Sequence, residues 1–234
     1  MNILILGASG KIGKCITEFL IKKKFYNITL VSNSNLKKYQ SKKIKYLNID
    51  VYEKSNSLLN NCIKNDIIIN CIGEYKNKSK MEYINYGFIE KLFKKNKKLI
   101  NSKHIHWIQL SSIGVYKNTG KYEIVNENSL IKTYNYYEET KLKTDNLLIN
   151  LSKEYSNIKY TIIRPSIVFG NNELDSTIIK LMKILSYKFL LIINFKNVNL
   201  PFVHILDLSK FIEKIISSKN KKNLNQIYNI SGNY

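Results

Sequence analysis

Arginine is almost absent from this sequence, and acidic residues are few. The 234 residues include 38 Lys or Arg against 17 Asp or Glu, a formal net charge of +21, and Arg164 is the only arginine. Recognition of bases and bidentate binding of phosphates favour Arg over Lys, and the lysines are spread along the whole chain. We therefore expect a solvated basic surface and no nucleic-acid partner. The alternative, nucleic-acid binding, predicts an affinity that falls steeply with salt.

Cysteine, histidine and long apolar runs are also scarce. The three cysteines are odd in number and unclustered, and the three histidines are few and separated, so we expect neither a disulfide framework nor a metal site. The longest apolar run, residues 189–193, is far shorter than a membrane span. The apolar run at residues 2–6 is too short for a signal peptide. These features favour a cytoplasmic protein without a membrane partner.

The rest of the composition favours a folded globule. Hydrophobic residues make up 44% of the chain and aromatic residues 12%, which argues against disorder. A chain of this length can bury one substantial core. We expect a single domain over residues 1–234.

Glycine is scarce as well, yet three of the nine glycines are evenly spaced near the start of the chain. They follow an apolar run of strand length at residues 2–6 and open a helical pattern over residues 11–24. Such a triplet is expected by chance only about 0.01 times in a chain of this composition. A strand, a glycine turn and a helix N-terminus together predict a phosphate site for a dinucleotide; the alternative is a turn without a ligand. The predicted contact residues are Gly7, Ser9, Gly10, Lys11, Ile12 and Gly13.

The Gly-x-x-Gly-x-x-Gly spacing resembles that of the short-chain dehydrogenase/reductase superfamily. The variant is the one found in its extended branch, the NAD-dependent epimerase/dehydratase family. The resemblance implies a doubly wound parallel α/β sheet, the Rossmann fold, that binds NAD(P). It also implies a small C-terminal substrate lobe, at about residues 171–203. Because members of this family usually continue beyond the point that corresponds to Tyr234, we expect that lobe to be reduced.

The end of the second predicted strand, residues 27–31, bears on the choice between NAD and NADP. In dinucleotide folds an acid at this place binds the adenosine ribose hydroxyls and favours NAD. Here Ser32 and Asn33 follow the strand, and lysines lie nearby. Small polar residues and cations would tolerate a 2′-phosphate, so the sequence favours NADP over NAD.

Two further strand ends resemble cofactor contacts of the family. Asp50 and Val51, after the third predicted strand, resemble the pair that contacts the adenine. Asp50 could equally cap a helix over residues 53–64, and we leave both interpretations open. After the fourth predicted strand, the resemblance implies that Ile72 and Gly73 lie against the cofactor.

The fifth predicted strand, residues 104–110, leads into Ser111-Ser112-Ile113-Gly114-Val115-Tyr116. This segment resembles the family motif Ser-Ser-x-x-Val-Tyr, in which the second serine is catalytic, and it implies that role for Ser112. Sugar 4,6-dehydratases of the family carry an Asp-Glu pair directly after this residue, where Ile113 and Gly114 stand here. We therefore expect an epimerase or a ketoreductase rather than a dehydratase.

The family's Tyr-x-x-x-Lys motif can be identified only by its position, because composition alone predicts about three chance matches. The three matches are Tyr39/Lys43, Tyr137/Lys141 and Tyr155/Lys159. Only the second lies on a predicted helix about 25 residues after the Ser-Ser pair. The spacing puts Tyr137 and Lys141 on one helix face, and the resemblance implies that both are catalytic and contact the cofactor.

The expected chemistry combines hydride transfer with acid–base catalysis. A free tyrosine has a pKa of about 10 and is a poor base at neutral pH. An ammonium about 4 Å away contributes on the order of 4 kcal/mol at an effective dielectric near 20, so we expect Lys141 to lower the pKa of Tyr137, against an opposing effect of desolvation. Lys141 would also bind the nicotinamide ribose, and Ser112 would hold the reacting oxygen. The motif Arg-Pro-x-x-Val-x-Gly after the sixth predicted strand adds the cofactor contacts Pro165 and Ile167.

Two function hypotheses follow. The first is an NAD(P)-dependent epimerase or ketoreductase that acts on a small molecule, such as a nucleotide-sugar. The second is a catalytically silent dinucleotide-binding protein, a redox sensor or an assembly subunit, which the shortened C-terminal region would favour and the intact Ser112, Tyr137 and Lys141 oppose. By resemblance we expect a homodimer formed partly through the Tyr137 helix.

Overall fold

The computed structural model describes residues 1–52, 65–117, 124–170, 183, 184, 186, 201–218 and 221–232. Within these ranges the strands are β1 (Asn2–Leu6), β2 (Asn27–Ser32), β3 (Ile44–Asn48), β4 (Ile67–Asn70), β5 (Ile105–Leu110), β6 (Ile158–Pro165), β7 (Ile167–Phe169), β8 (Phe202–His204) and β9 (Gln226–Ile230). The α-helices are α1 (Lys11–Ile21), α2 (Lys78–Glu82), α3 (Phe88–Lys95), α4 (Lys97–Ser102), α5 (Tyr136–Glu154) and α6 (Ile205–Ser217).

Seven of these strands form one parallel sheet in the order β3-β2-β1-β4-β5-β6-β9. Strand β1 pairs on one side with β2, where Ile3 lies opposite Ile28, and on the other side with β4, where Ile3 lies opposite Ile67. The strand order reverses beside β1, which is the place where doubly wound sheets bind ligands at their carboxyl ends. The predicted fold class, a doubly wound parallel α/β sheet, is confirmed.

The alternation of side chains along β1 explains why helices cover both faces of the sheet. Ile3 and Ile5 are fully buried in the core cluster that includes residues of α1 and α6. Leu4 and Leu6 point to the opposite face and are buried with residues of α3 and α5. A strand that is apolar on both faces is typical of a parallel sheet between two helical layers.

Helix boundaries differ from the sequence prediction mainly where side chains cap or interrupt a helix. The sequence of residues 79–96 has the pattern of one long helix, but in the structure a π-helical turn, Tyr83–Gly87, divides it. Asn85 in this turn is buried, and its amide donates to the Glu74 carbonyl and to Thr140 Oγ1. The π turn thus turns Asn85 toward α5, a contact that a regular helical period does not predict.

The C-terminal part of the chain is described only in pieces. Strands β7 and β8 form a separate parallel pair, and α6 begins directly after β8, at Ile205. The helix that the sequence suggests over 53–64 lies outside the described residues, and residues 174–187, which also have a helical pattern, lie almost entirely outside them. The same holds for the substrate lobe predicted at about 171–203, which therefore stays a prediction.

Candidate active site

In the glycine turn between β1 and α1, the backbone of the turn and the backbone of the helix lie very close together. Gly7 has a φ of 74°, in the left-handed region that favours glycine. A Cβ atom on Gly13 would lie 2.1 Å from the Gly7 carbonyl oxygen, so α1 can approach the turn only with glycine at this position. The Gly10 amide donates to the Gly7 carbonyl at 3.0 Å and closes the turn.

The N-terminus of α1 opens at this turn. Its N-cap residue, Gly10, offers no side chain to the first N–H groups, and the first helical turn contains no acidic residue. These N–H groups carry the positive end of the helix dipole. The turn therefore leaves a backbone cradle in which an anion can approach the N–H groups, and any larger side chain at Gly10 would fill it.

Two cavities meet at the glycine turn, at the carboxyl ends of the strands. The α5 cavity, of about 450 Å³, lies toward α5, and the β2 cavity, of about 310 Å³, lies toward the end of β2. The residues predicted from sequence that line the α5 cavity are Ser9, Gly10, Lys11, Ile12, Gly73, Tyr137, Lys141 and Pro165. Those that line the β2 cavity are Gly7, Ser9, Gly10, Ser32, Asn33, Asp50, Val51, Ile72 and Gly73.

Three of the predicted residues line neither cavity as the described part of the chain forms them: Gly13, Ser112 and Ile167. Gly13 lies behind the turn, against Gly7. Ser112 follows Ser111, which does line the α5 cavity. Ile167 starts β7 and is half-buried.

The end of β2 is fixed by two serines. Ser32 is buried, donates its hydroxyl to Ser9 Oγ at 2.6 Å and accepts from the Ser34 amide. Asp50 accepts from the Tyr52 amide at 2.8 Å, so its carboxylate caps its own turn. The helix that Asp50 could alternatively cap lies outside the described residues.

Lys141 is the best-defined side chain of the α5 cavity. It is buried, and its ammonium donates to the carbonyls of Ile72, at 3.2 Å, and Leu110, at 3.0 Å. These carbonyls lie at the ends of β4 and β5, so the side chain connects α5 with two strand ends. Burial lowers the pKa of Lys141 to about 8, and the negative charge of Asp145 opposes this shift.

Tyr137 differs from the sequence expectation. The Lys141 Nζ atom lies 5.8 Å from the centroid of the Tyr137 ring, and its hydrogen bonds go to the two carbonyls. Burial raises the pKa of Tyr137 to about 12, and the neighbouring Glu138 adds to the rise. The expectation that Lys141 lowers this pKa is therefore wrong for this arrangement, because desolvation of the phenolate dominates.

Ser112 begins a short 3₁₀ turn after β5. It is half-buried, and its Oγ atom accepts from the Gly114 amide at 3.1 Å. The turn continues to Val115, which is fully buried and anchors the segment in the core. A hydroxyl that accepts from the backbone can still donate its own hydrogen to a substrate oxygen.

Sequence reasoning missed several cavity residues. Those that line the α5 cavity are Lys14, Cys71, Tyr75, Leu110, Ser111, Val168, Gly170 and Ile205. Those that line the β2 cavity are Val31, Ile49, Tyr52, Cys71, Glu74, Lys80 and Ile84. Lys14 could have been found, since it lies one helical turn after Lys11. Burial raises the pKa of Cys71 to about 12, which keeps its thiol protonated near neutral pH.

The charged side chains that line the α5 cavity are all positive. Lys11, Lys14 and Lys141 are among its described lining residues, and no carboxylate is.

Among the described residues no group of three His, Cys, Asp or Glu side chains could hold a metal ion. No helix in the described ranges combines the length and the apolar character needed to cross a bilayer.

Comparison with known families gives a match over nearly the whole chain. The model described as "NAD dependent epimerase/dehydratase family" matches residues 3–231. No curated protein matches the sequence.

Solved structures of similar fold include three nucleotide-sugar enzymes. The dTDP-glucose 4,6-dehydratase of Bacillus anthracis, in complex with NAD, has a TM-score of 0.77 at 20% identity, covering 100% of this chain and 76% of that one. The UDP-glucuronic acid 4-epimerase of Bacillus cereus, in complex with NAD, has a TM-score of 0.78 at 18% identity, covering 100% and 78%. The UDP-glucose 4-epimerase of Thermotoga maritima, with UDP-glucose, has a TM-score of 0.74 at 18% identity, covering 99% and 77%.

Proposed function

Because the chain belongs to the NAD-dependent epimerase/dehydratase family, we propose that it is an NAD(P)-dependent epimerase or ketoreductase. Its substrate would be a small molecule with a hydroxyl or carbonyl group, and we propose a nucleotide-sugar. The observation that carries this proposal is the meeting of two cavities at the glycine cradle, with Tyr137 and Lys141 on the wall of one of them.

The glycine cradle fits a dinucleotide. Gly7 and Gly13 let the turn and the helix pack closely, and Gly10 lines both cavities in front of the first N–H groups of α1, where it presents no side chain. The cofactor diphosphate would lie there, with the adenosine half in the β2 cavity and the nicotinamide half in the α5 cavity. When bound, the nicotinamide supplies the hydride chemistry.

Tyr137 and Lys141 would handle the proton. With a pKa of about 12, the Tyr137 hydroxyl holds its proton at neutral pH, so it is prepared to donate that proton to a carbonyl oxygen. Two of the three N–H groups of the Lys141 ammonium are used by the Ile72 and Leu110 carbonyls, and the third would bind a ribose hydroxyl. Ser112 would hold the reacting oxygen with its hydroxyl.

We propose NADP rather than NAD as the preferred cofactor. Ser32 and Asn33 line the β2 cavity at the end of β2, where an acid would repel a 2′-phosphate. Lys80 lines the same cavity, but so do Asp50 and Glu74, so the proposal depends on the missing acid at the strand end and not on the net charge of the cavity.

The reaction type is suggested by the two residues after Ser112. Ile113 and Gly114 stand where the family's dehydratases carry an Asp-Glu pair, which supports epimerisation or reduction over dehydration.

The first experiment is a fluorescence titration with NADH and NADPH on the wild type and on Gly10→Val. The valine side chain fills the cradle, while the φ of −65° at Gly10 suits any residue, so the variant should fold. We expect tighter binding of NADPH and at least a tenfold loss of both affinities in the variant. Failure of the folded wild type to bind either cofactor would contradict the proposal and leave a silent Rossmann protein.

A second experiment tests catalysis. A panel of UDP- and dTDP-sugars, together with simple ketones, is incubated with the preferred cofactor and followed by nicotinamide absorbance and by product analysis. Turnover that is lost in Tyr137→Phe supports the enzyme hypothesis, whereas binding without any turnover supports the dinucleotide sensor.

We also propose a homodimer, because the resemblance implies pairing through the Tyr137 helix. The scarce, unclustered cysteines support a cytoplasmic location. Light scattering of the purified protein measures the mass directly. A monomer at micromolar concentration would contradict this part of the proposal.

A further inference from the structure

The only arginine of the chain is buried in an ion pair behind the α5 cavity. Arg164 is 1% exposed at the end of β6, and Asp145, on α5, is fully buried. The Arg164 Nε and Nη2 atoms both donate to Asp145 Oδ2, at 3.1 and 3.0 Å. Asp145 follows Lys141 by one helical turn and lies on the same face of α5.

The ion pair binds both ends of the segment Ser111–Tyr116. At one end the Ser111 hydroxyl donates to Asp145 Oδ2 at 2.8 Å. At the other end the Arg164 Nη1 atom donates to the Tyr116 hydroxyl at 2.7 Å, and the guanidinium carbon lies 4.8 Å from the centroid of the Tyr116 ring. Both Ser111 and Tyr116 are buried.

Ser112 lies inside this segment, immediately after Ser111. We propose that the Asp145–Arg164 pair is a clamp that positions Ser112 against Tyr137 and Lys141, by holding Ser111 and Tyr116 onto α5 and β6. Ser111, Tyr116, Asp145 and Arg164 are thus positioning residues, and none of them need touch the reacting atoms. This inference rests on the catalytic role of Ser112 under the proposed function.

The clamp extends to the last strand of the sheet. The Tyr116 hydroxyl donates to Asn229 Oδ1 on β9 at 3.0 Å, so four elements around Ser112 share one network. Two buried atoms of this network, Asp145 Oδ1 and Asn229 Nδ2, have no hydrogen-bond partner among the described residues. Buried polar atoms are normally satisfied, so these two atoms add to the desolvation cost of the buried ion pair.

The cleanest variants remove one hydroxyl at each end of the segment. Ser111→Ala deletes the bond to Asp145, Tyr116→Phe deletes the bond from Arg164 while keeping the ring, and the double variant releases both ends. The matched controls are Ser209→Ala, a buried serine that bonds the Ile205 carbonyl on α6, and Tyr228→Phe, whose hydroxyl bonds Asn223. Ser111→Thr keeps a hydroxyl and should restore the wild-type behaviour.

The first readout needs no substrate. Hydrogen exchange of the backbone amides at residues 112–115 is measured in the wild type, the variants and the controls. We expect exchange in the double variant to be about tenfold faster or more, with smaller increases in the single variants and none in the controls. In Tyr116→Phe the dissociation constants for NADH and NADPH should stay within about twofold of the wild type, because Tyr116 lines neither of the two described cavities.

The second readout is turnover of the panel substrate that the wild type accepts. A misplacement of about 1 Å can cost roughly a hundredfold in rate, so we expect kcat of the double variant to fall by about that factor with little change in KM. Because either end alone still holds the segment, the loss should exceed the product of the two single losses.

Three outcomes would overturn the clamp. They are unchanged exchange at 112–115 in the folded double variant, faster exchange with unchanged kcat, and equal effects in the controls. If the double variant does not fold, the single variants replace it. Unchanged exchange at 112–115 in Ser111→Ala overturns the role of the bond to Asp145, and unchanged exchange in Tyr116→Phe overturns the role of the bond from Arg164. If the wild type turns over no panel substrate, the proposed function fails by itself, and the exchange experiment still supports or overturns the clamp.

Discussion

The two halves of the sheet, the first around β1 and β2 and the second around β5 and β6, position their candidate site residues in different ways. In the first half, β1, β2 and the start of α1 form the cradle from backbone atoms of residues that are close in sequence, Gly7 to Gly13. In the second half, Ser111, Asp145 and Arg164 meet through side chains that are up to 53 residues apart, since 164 − 111 is 53. The first half is a local turn, and the second is an assembly of separate elements.

This difference determines how each half should respond to substitution. A backbone cradle is damaged by adding atoms, because space is what it provides. A buried network of side chains is damaged by removing atoms, because each deletion leaves a partner unpaired in a medium of low dielectric. Four substitutions test this contrast, in order of the expected effect.

Arg164→Leu should be the most destabilising change. It leaves the fully buried Asp145 carboxylate without its cation, which typically costs about 3–5 kcal/mol. Urea unfolding measures the loss. The control is Lys143→Met, which removes the exposed pair with Glu82 and should cost less than about 1 kcal/mol. Equal costs for the two variants would show that the second half does not depend on its buried pair.

Gly13→Ala tests the first half by adding a single methyl group. Its Cβ atom would lie 2.1 Å from the Gly7 carbonyl oxygen, and overpacking of this kind costs about 2 kcal/mol. Cofactor binding should be lost together with the stability. The matched control is Gly10→Ala, whose Cβ atom would lie 3.3 Å from the same oxygen. A Gly13→Ala protein as stable as Gly10→Ala would contradict the close approach.

His106→Gln tests how the stability of the second half depends on pH. His106 lies on β5, and all three histidines of the chain follow residue 100. Burial lowers the pKa of His106 from its ordinary value of 6.5 to about 4. The unfolded chain therefore takes up a proton first as the pH falls, so the stability that neutral His106 contributes is present above pH 6.5 and is lost between 6.5 and 4.

Over this window the wild type should lose up to about 1.4 kcal/mol per pH unit more than the variant. Glutamine can keep a hydrogen bond to Thr161, the partner of His106. Unfolding curves at pH 6.5 and 5.5 give the comparison. Parallel pH dependence of the two proteins would contradict the assignment.

Ser32→Ala should have the smallest effect. It removes the bonds of a buried hydroxyl to Ser9 and to the Ser34 amide, worth about 1 kcal/mol. The exposed neighbour Ser34 serves as the control in Ser34→Ala, which should change the unfolding free energy by less. A cost as large as that of Arg164→Leu would show that the first half also depends on side chains.

The same contrast explains which parts of the site could be predicted from the sequence. Gly7, Gly10 and Gly13 are a local pattern, so the strand, turn and helix around them could be identified directly. Most strands of the sheet were predicted to within two residues, because runs such as Ile67–Asn70 are apolar and short. Tyr137 and Lys141 could be identified by their position after the Ser-Ser pair.

The clamp could not be predicted in this way. Asp145 and Arg164 carry no local motif that links them, and only the register of β5, α5 and β6 brings them together. The pKa of Tyr137 was predicted in the wrong direction, because sequence spacing gives neither the burial of the ring nor the two carbonyls that engage Lys141. The π turn that directs Asn85 inward also has no signal in the apolar period.

The burial of a single arginine gives the protein a built-in chemical reporter. Dicarbonyl reagents that modify guanidinium groups find a single guanidinium in each molecule, and in the folded state it is 1% exposed. Adduct formation at Arg164, followed by mass spectrometry, would therefore report opening of the Asp145–Arg164 contact between α5 and β6. The surface lysines carry no guanidinium group and would not contribute to this signal. If labelling is limited by such openings, its rate measures how often the contact between α5 and β6 opens, without any introduced probe.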